Sequence, residues 1–463
     1  MTDTELSNLK KDLVAALGDS KIITDPSILE TYARDETGDI FHAPDIAVRA
    51  GSTGDVSAVL RICSAHGVPV IPRGAGTGLT GGAVPTVGGV VLSLEKMNRI
   101  IEIDTRNMAA VVEPGVITGD LQRAVLEHGL MYPPDPASLD SCSIGGNVAE
   151  AAGGPRAVKY GTTRDYLLGL EFVLMDGSVI STGGKYVKNA TGFNLCGLLT
   201  GSEGTLAVIT KITLRLIPAA PHTLDILVPF GSMEEAVEAV YRIIADKILP
   251  AGLEFMEENA IRIVGKYLHD EMLFPDARAH LLIELDGSTM EEIERDLEKI
   301  GACLGDAYGR ALAAESRAQS ERLWKARRSI REAINAVSPS SLAEDSVVPR
   351  SEIPGFLKEV KSYFDGLGLS TLMFGHAGDG NVHIHVLQGT ISDEQWYRQQ
   401  PIYKKELYRI ALSRGGTISG EHGIGCTRRD YLPMALSHDE IELLRRIKKA
   451  FDPRGLLNPG KIF

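Results

Sequence analysis

The chain has no Cys-x-x-Cys pair. Its five cysteines (Cys63, Cys142, Cys196, Cys303 and Cys426) are odd in number and scattered, so they cannot by themselves hold an iron–sulfur cluster or form a disulfide framework. They read as reduced, buried thiols of a cytosolic protein. No apolar run approaches the roughly 20 residues that span a bilayer. The first residues lack a signal-peptide pattern: Leu6, Leu9, Leu13 and Leu17 fall at helical spacing among Lys10, Lys11 and Asp12, which predicts a short amphipathic helix. Positive charge is also in the minority. With 48 basic against 61 acidic residues, net −13, nucleic acid and anionic membranes are poor partners, because both need clustered positive charge. Internal repeats, low-complexity tracts and long disordered linkers are absent as well.

What is present is an ordinary globular composition, 44% apolar and 24% charged over 463 residues, enough for two or three domains at roughly 150 residues each. Residues 46–94 alternate strand, helix (capped at Ser52-Thr53-Gly54-Asp55 and running to about His66), strand (Val68–Arg73), glycine-rich loop and strand (Val90–Leu94). Ala109–Glu113, Leu170–Met175 and Leu206–Leu216 continue an α+β pattern. A second unit starts near Pro221. It reads strand Leu224–Phe230, helix Met233–Ala245, strand Gly252–Met256, helix Asn259–Leu268, strand His280–Asp286 and helix Met290–Leu304. A helix over Glu315–Val337 follows, then a histidine-rich strand.

The loop Arg73-Gly74-Ala75-Gly76-Thr77-Gly78-Leu79-Thr80-Gly81 contains Gly-x-Gly-x-x-Gly after a strand. A dinucleotide fingerprint must open a helix. Here Gly82, Pro85, Gly88 and Gly89 prevent one, so the NAD reading fails. A run of small residues still offers backbone N–H groups to a pyrophosphate; the alternative is a plain surface loop. Two further clusters, Pro133–Pro136 with Ser143–Asn147 and Gly153-Gly154, and Leu199–Thr205, suit a long ligand with polar groups along its length, such as FAD.

In Val382-His383-Ile384-His385-Val386 the apolar residues alternate with histidines, so both imidazoles share one face of a strand. His376 lies upstream across a glycine-rich turn that can fold it back towards them. Converging imidazoles are metal-ligand material, with a hydrogen-bonded structural role as the alternative for each alone. Gly420-Glu421-His422-Gly423 offers a carboxylate. The metal-hydrolase pattern His-Glu-x-x-His is missing, and hydrolysis would leave the three loops unexplained. At 3.6 residues per turn Arg327 falls among Leu323, Ile330 and Ile334, with Lys325 on the opposite side. An inward guanidinium needs an anion, either a substrate carboxylate or an internal acid. Arg331, one turn later, could take a second carboxylate. Asp379 reads as a turn buttress.

The segments PRGAGTGLTGG, SIGGNVAEAAGG, LTGSEGTLAVIT, FGHAGDGNVHIHV, SGEHGIG and FDPRGLLNPGKIF, in this order across nearly the whole chain, resemble the FAD-linked oxidases of the vanillyl-alcohol-oxidase type. The likeness is to the glycolate oxidase flavoprotein subunit and D-lactate dehydrogenase branch, with D-2-hydroxyglutarate dehydrogenase a near relative. The resemblance implies an α+β, two-domain protein: an N-terminal helical segment (1–40), an FAD-binding domain (41–219), an α/β cap domain with an antiparallel sheet (220–440), and a C-terminal segment (441–463) returning to the FAD domain. FAD would be held by Arg73, Gly74, Ala75, Gly76, Thr77, Gly78, Pro134, Asp135, Ser138, Ser143, Gly146, Asn147, Gly154, Tyr160, Glu203, Gly204, Ile209 and Asn458. Relatives with covalent FAD carry a histidine in the first loop; this chain has none, so FAD is expected to be non-covalent.

The resemblance further implies that His376, His383 and Glu421 ligate a divalent metal, Zn²⁺ or Mn²⁺, that His422 is the base and that Arg327 holds the substrate carboxylate. His385 departs from the asparagine of the 2-hydroxyglutarate enzymes. The implied activity is oxidation of a small D-2-hydroxy acid, glycolate or D-lactate before 2-hydroxyglutarate, by hydride transfer to FAD. Electrons would pass to an electron-transfer flavoprotein, an iron–sulfur subunit, a quinone or a cytochrome. The expected location is cytoplasmic, peripheral to a membrane only through a partner. A reading from another class is a non-catalytic FAD-binding accessory subunit, which should lack the His/Glu/Arg set that this chain keeps.

Overall fold

The computed structural model describes residues 2–38, 40–270, 274, 276–338 and 340–463. They divide into two compact units: unit 1 is Met1–Gly153, Thr162–Ala219 and Glu421–Phe463, and unit 2 is Gly154–Gly161 and Ala220–Gly420.

Unit 1 opens with the helix Asp3–Leu17, started by a capping box between Thr2 and Glu5. Of its leucines, Leu9 and Leu13 are fully buried, each worth about 1.5–3 kcal/mol of apolar burial. A four-stranded sheet follows in the order Ile22–Ile23, Ile46–Arg49, Val90–Ser93, Val70–Arg73. The first pair is antiparallel, and the crossover strands are parallel. The helix Thr53–His66 makes one crossover; Ser52 caps its start and Gly67, at φ 70°, its end. From Gly74 to Gly89 there is no helix, so the glycine-rich loop runs straight to the next strand. The C-terminal segment adds to this sheet: Val70 N–H donates to Leu456 O and Asn458 N–H to Val70 O, both at 2.8 Å. A second, antiparallel sheet has the order Ile100–Asp104, Ala109–Val112, Val208–Arg215, Leu167–Val173, Val179–Gly183.

Unit 2 is built on a seven-stranded, wholly antiparallel sheet. Its order is Leu312–Ala313, His222–Phe230, Ala279–Gly287, Gly252–Glu257, Thr371–His376, Asn381–Leu387, Ser341–Val347. Period-2 alternation sorts its side chains onto two faces. Leu253, Phe255, Met373, Val382, Ile384 and Val386 join the large core under the helices Met233–Ala245, Met290–Leu304, Ile353–Gly366 and Asp393–Ser413. Met256, Leu372 and Phe374 face the helices Glu258–Leu268, Arg317–Arg328 and Ile330–Val337 on the other side.

Three expectations are corrected. The single helix over Glu315–Val337 is two helices, broken at Ser329, which ends the first and starts the second. The histidine-rich strand does not follow directly, because the strand Ser341–Val347 and the helix Ile353–Gly366 intervene. Ser143–Asn147 is not a loop: Ser143 is the N-cap of the helix Ile144–Glu150, and its Oγ accepts from Gly146 N–H. Serine followed by paired glycines looks like loop, yet Ser is a preferred cap and the tail Val-Ala-Glu is helix-forming.

Candidate functional site

In unit 1 the glycine-rich loop leaves the sheet at Arg73. The Arg73 guanidinium donates to Arg34 O at 2.8 Å and Thr31 O at 3.5 Å. Gly76 has φ 76°, and a Cβ there would lie 2.1 Å from Arg73 Nη2; a Cβ on Gly74 would lie 2.4 Å from Ser143 Oγ. The turn therefore needs glycine for both conformation and space. Among the described residues, none accepts a hydrogen bond from the backbone N–H groups of Gly74, Ala75, Gly76, Thr77 or Gly78. Five unpaired donors along one glycine-rich turn are what a pyrophosphate would satisfy.

The other predicted cofactor residues of unit 1 form a frame around short helices and turns. Asn147 Nδ2 donates to Thr118 Oγ1 at 2.7 Å, and Pro134 O accepts from Gln122 Nε2 at 2.9 Å. Asp135 is buried, and Ile209 lies buried in its strand. Ser138 O accepts from Ser141 and Cys142 N–H, both at 2.8 Å. Glu203, itself at φ 51° and followed by Gly204 at φ 65°, accepts from Ile424 N–H at 2.8 Å and Gly425 N–H at 2.6 Å. Asn458 Nδ2 donates to Gly82 O and Glu203 O, at 3.0 and 2.8 Å. Its buried Oδ1 has no partner among the described residues. So Gly82, Glu203 and Asn458, far apart in sequence, come together. An orphaned buried acceptor beside a glycine cradle fits a bound polar cofactor.

Sequence reasoning missed Glu150. Its Oε2 is buried without a partner among the described residues, and a Cβ on Gly423 would lie 2.5 Å from it and 3.0 Å from Glu203 Oε1. Burial pushes the Glu150 carboxyl well above the usual range, helped by the Glu203 charge and opposed by Arg428. Burial raises Glu203 too, against the Ile424 and Gly425 N–H groups. His422, in the same unit, is partly exposed, and its Nε2 is 3.9 Å from Glu421 Oε1.

In unit 2, Gly154 and Tyr160 lie in the Gly154–Gly161 excursion. The Tyr160 hydroxyl donates to Asp286 at 2.5 Å, Lys159 pairs with the same carboxylate, and Arg156 pairs with Glu284 at 2.8 Å.

The histidine hairpin is the centre of unit 2's polar face. His376 ends one strand, Asp379 Oδ1 accepts from Asn381 N–H at 3.0 Å to close the turn, and Phe374 is the register partner of His383. His376, His383 and His385 thus share a face, all buried. The Nε2 atoms of His376 and His383 are 3.4 Å apart. His385 stacks on Phe374, ring centroids 5.7 Å apart.

The adjacent strand adds Glu254, fully buried and the register partner of His376. Its Oε1 is 2.7 Å from His376 Nδ1, and Oε2 accepts from Arg327 Nε at 2.8 Å and Nη2 at 2.6 Å. Burial alone would raise the Glu254 carboxyl, but His376 and Arg327 together hold it below the usual range. Arg327 is buried as its helical position requires, and it is on an internal acid. Glu254 engages Nε and Nη2, and the guanidinium has donors beyond these. Its Cζ also lies 4.9 Å from the Phe374 ring centroid. Arg331 falls beyond the break at Ser329, in the second helix.

Asp345, the register partner of His383, is fully buried and accepts from Gly420 N–H at 2.8 Å and from the Ser419 hydroxyl at 3.3 Å. Gly420, the last residue of unit 2, is thereby pinned beside the histidine strand, one peptide bond before Glu421.

The family model of the FAD linked oxidases, C-terminal domain, matches residues 221–462, and that of the FAD binding domain matches residues 44–183. The chain is 41% identical over 458 residues to the glycolate oxidase subunit GlcD of Bacillus subtilis (98% of this chain, 97% of that protein). It is 40% identical to a D-lactate dehydrogenase of Archaeoglobus fulgidus (96% and 98% covered). A D-2-hydroxyglutarate dehydrogenase of Stutzerimonas stutzeri is 34% identical over the full length of both chains. Among solved structures, p-cresol methylhydroxylase has the same fold, with TM-score 0.82, 22% identity and coverage of 100% of this chain and 97% of that one. The chain belongs to the FAD-linked oxidases. No helix among the described residues is long and apolar enough to cross a membrane.

Proposed function

We propose that this protein is an FAD-dependent D-2-hydroxy-acid dehydrogenase, acting on glycolate or D-lactate and passing electrons to a separate acceptor protein or quinone. The observation that carries the reading is the buried group His376, His383 and Arg327 in a chain whose relatives are named for these substrates. FAD, held non-covalently by the Gly74–Gly78 turn and the Glu203–Asn458 frame, supplies the hydride acceptor when bound.

His376, His383 and Glu421 would hold a divalent cation, Zn²⁺ or Mn²⁺; each can offer one ligand atom. The 3.4 Å between the two Nε2 atoms supports this. Asp345 accepts from the N–H of Gly420, the residue before Glu421 in the chain. With such a cation, this set would orient the substrate hydroxyl and favour its ionisation. Arg327 binds the substrate carboxylate through donors that Glu254 does not engage. His422 takes the hydroxyl proton as general base. The cytoplasm suits a chain whose five cysteines are all free.

The test is an anaerobic screen of glycolate, D-lactate, L-lactate and D-2-hydroxyglutarate against the yellow holoprotein. Bleaching by glycolate or D-lactate is expected. Bleaching by D-2-hydroxyglutarate alone would move the assignment to that substrate. A flavin bound but reduced by none of the four would make this an accessory subunit.

A further inference from the structure

The polar face of unit 2 contains a buried carboxylate, Glu254, that no catalytic step above uses. Glu254 is fully buried in an otherwise apolar strand segment, Gly252-Leu253-Glu254-Phe255-Met256. Burying a carboxylate is costly unless its lone pairs are met by good donors. Here each oxygen has one neighbour of that kind: Oε1 has His376 Nδ1 at 2.7 Å, and Oε2 has Arg327 Nε and Nη2 at 2.8 and 2.6 Å. An ionised carboxylate can only accept, so the proton of a neutral His376 must sit on Nδ1. The lone pair is then on Nε2, the nitrogen facing His383 Nε2.

We infer that Glu254 is the positioning residue of the ligand set: anchored by Arg327, it fixes the ring orientation and the Nδ1–H tautomer of His376, so that Nε2 is presented as a metal donor. The inference rests on reading His376 as a ligand. It goes further in assigning the carboxylate that makes the imidazole a ligand before any ion arrives. Outer partners of this kind tune affinity by roughly 10–100-fold. One carboxylate also ties the ligand to the clamp: Arg327 cannot leave Glu254 without releasing the group that holds His376.

The experiment uses the full-length protein, stripped of metal and labelled with ¹⁵N in its histidine rings, in wild type, Glu254→Gln and the charge-balanced double variant Glu254→Gln/Arg327→Gln. The double variant removes the stranded guanidinium that could unfold the single one. Long-range ¹H–¹⁵N spectra, with His376 assigned through His376→Gln, report the tautomer. Titration with Co²⁺, followed in the visible, reports affinity. The expected result is a pure Nδ1–H His376 in wild type, a mixed tautomer in both variants, and Co²⁺ binding weakened about 10–100-fold. An unchanged tautomer, or Co²⁺ binding equal to wild type in both variants, overturns the inference. Should wild type itself take up no Co²⁺, the metal reading falls, and with it the assignment of Glu254 to a ligand set. The tautomer then shows separately whether Glu254 orients the ring.

Discussion

Replacing Gly76 by alanine tests the phosphate cradle at its tightest point. The residue sits at φ 76°, where a Cβ would lie 2.1 Å from Arg73 Nη2. A left-handed conformation costs an L-residue about 1–2 kcal/mol. The clash also pushes the Arg73 guanidinium off Arg34 O, a charged hydrogen bond of 2.8 Å worth about 1.5–3 kcal/mol at most. Together these come to about 3 kcal/mol. If the empty turn relaxes and FAD restores its shape, the cost falls on binding, and FAD affinity drops about 100-fold. If the turn is rigid without FAD, the cost falls on folding, and the apoprotein melts at a lower temperature with FAD affinity nearly unchanged. Titration of apoprotein by flavin-fluorescence quenching, beside a thermal melt of the same sample, separates the two. Wild-type FAD affinity together with a wild-type melting temperature would refute the reasoning, because the strain would then exist nowhere.

Other expectations are briefer. His422→Ala should keep FAD bound yet slow flavin reduction by D-lactate or glycolate by about 10²–10⁴-fold; stopped-flow traces matching wild type would remove His422 as the base. Glu150 has a folded-state pKa raised by burial, so its stabilising effect is full below the ordinary carboxylate value and is lost as pH rises through the raised one. Glu150→Gln should therefore gain in melting temperature over wild type from pH 5 to pH 8 in FAD-free protein. Parallel melting curves across that range would contradict this. The Cys63 thiol, buried and pushed up to about 12, should resist iodoacetamide in native protein while the partly exposed Cys303 reacts. Peptide mass spectrometry showing equal labelling would count against the packing of that core.

Much of this anatomy is legible in the sequence where burial enforces a period. Val382, Ile384 and Val386 had to face one core, which left His383 and His385 together on the opposite face. The helices Met233–Ala245 and Met290–Leu304 likewise end where their apolar stripes end. The rest depends on tertiary hydrogen bonds that no local pattern shows. Ser341–Val347, with Glu344 and Asp345 at its middle, is a strand that the sequence reading passed over. Glu344 pairs with Lys404 and accepts from the Tyr408 hydroxyl, and Asp345 accepts from Gly420 N–H. Glu254 looks like an ordinary outward residue of an alternating strand until Arg327, 73 positions on, is known to meet it. The break at Ser329 is invisible to periodicity, because Ile330 and Ile334 continue the stripe of Leu323 and Arg327.

The most direct test of the account is flavin reduction after metal removal. Holoprotein that has been stripped with a chelator and retains its FAD is mixed anaerobically with D-lactate or glycolate, then reloaded with Zn²⁺ or Mn²⁺, with His383→Ala alongside. Loss of bleaching on stripping, recovery on reloading, and no recovery in the variant are the predicted results. Full-speed bleaching of a rigorously metal-free flavoprotein would contradict the claim that His376, His383 and Glu421 act through a cation.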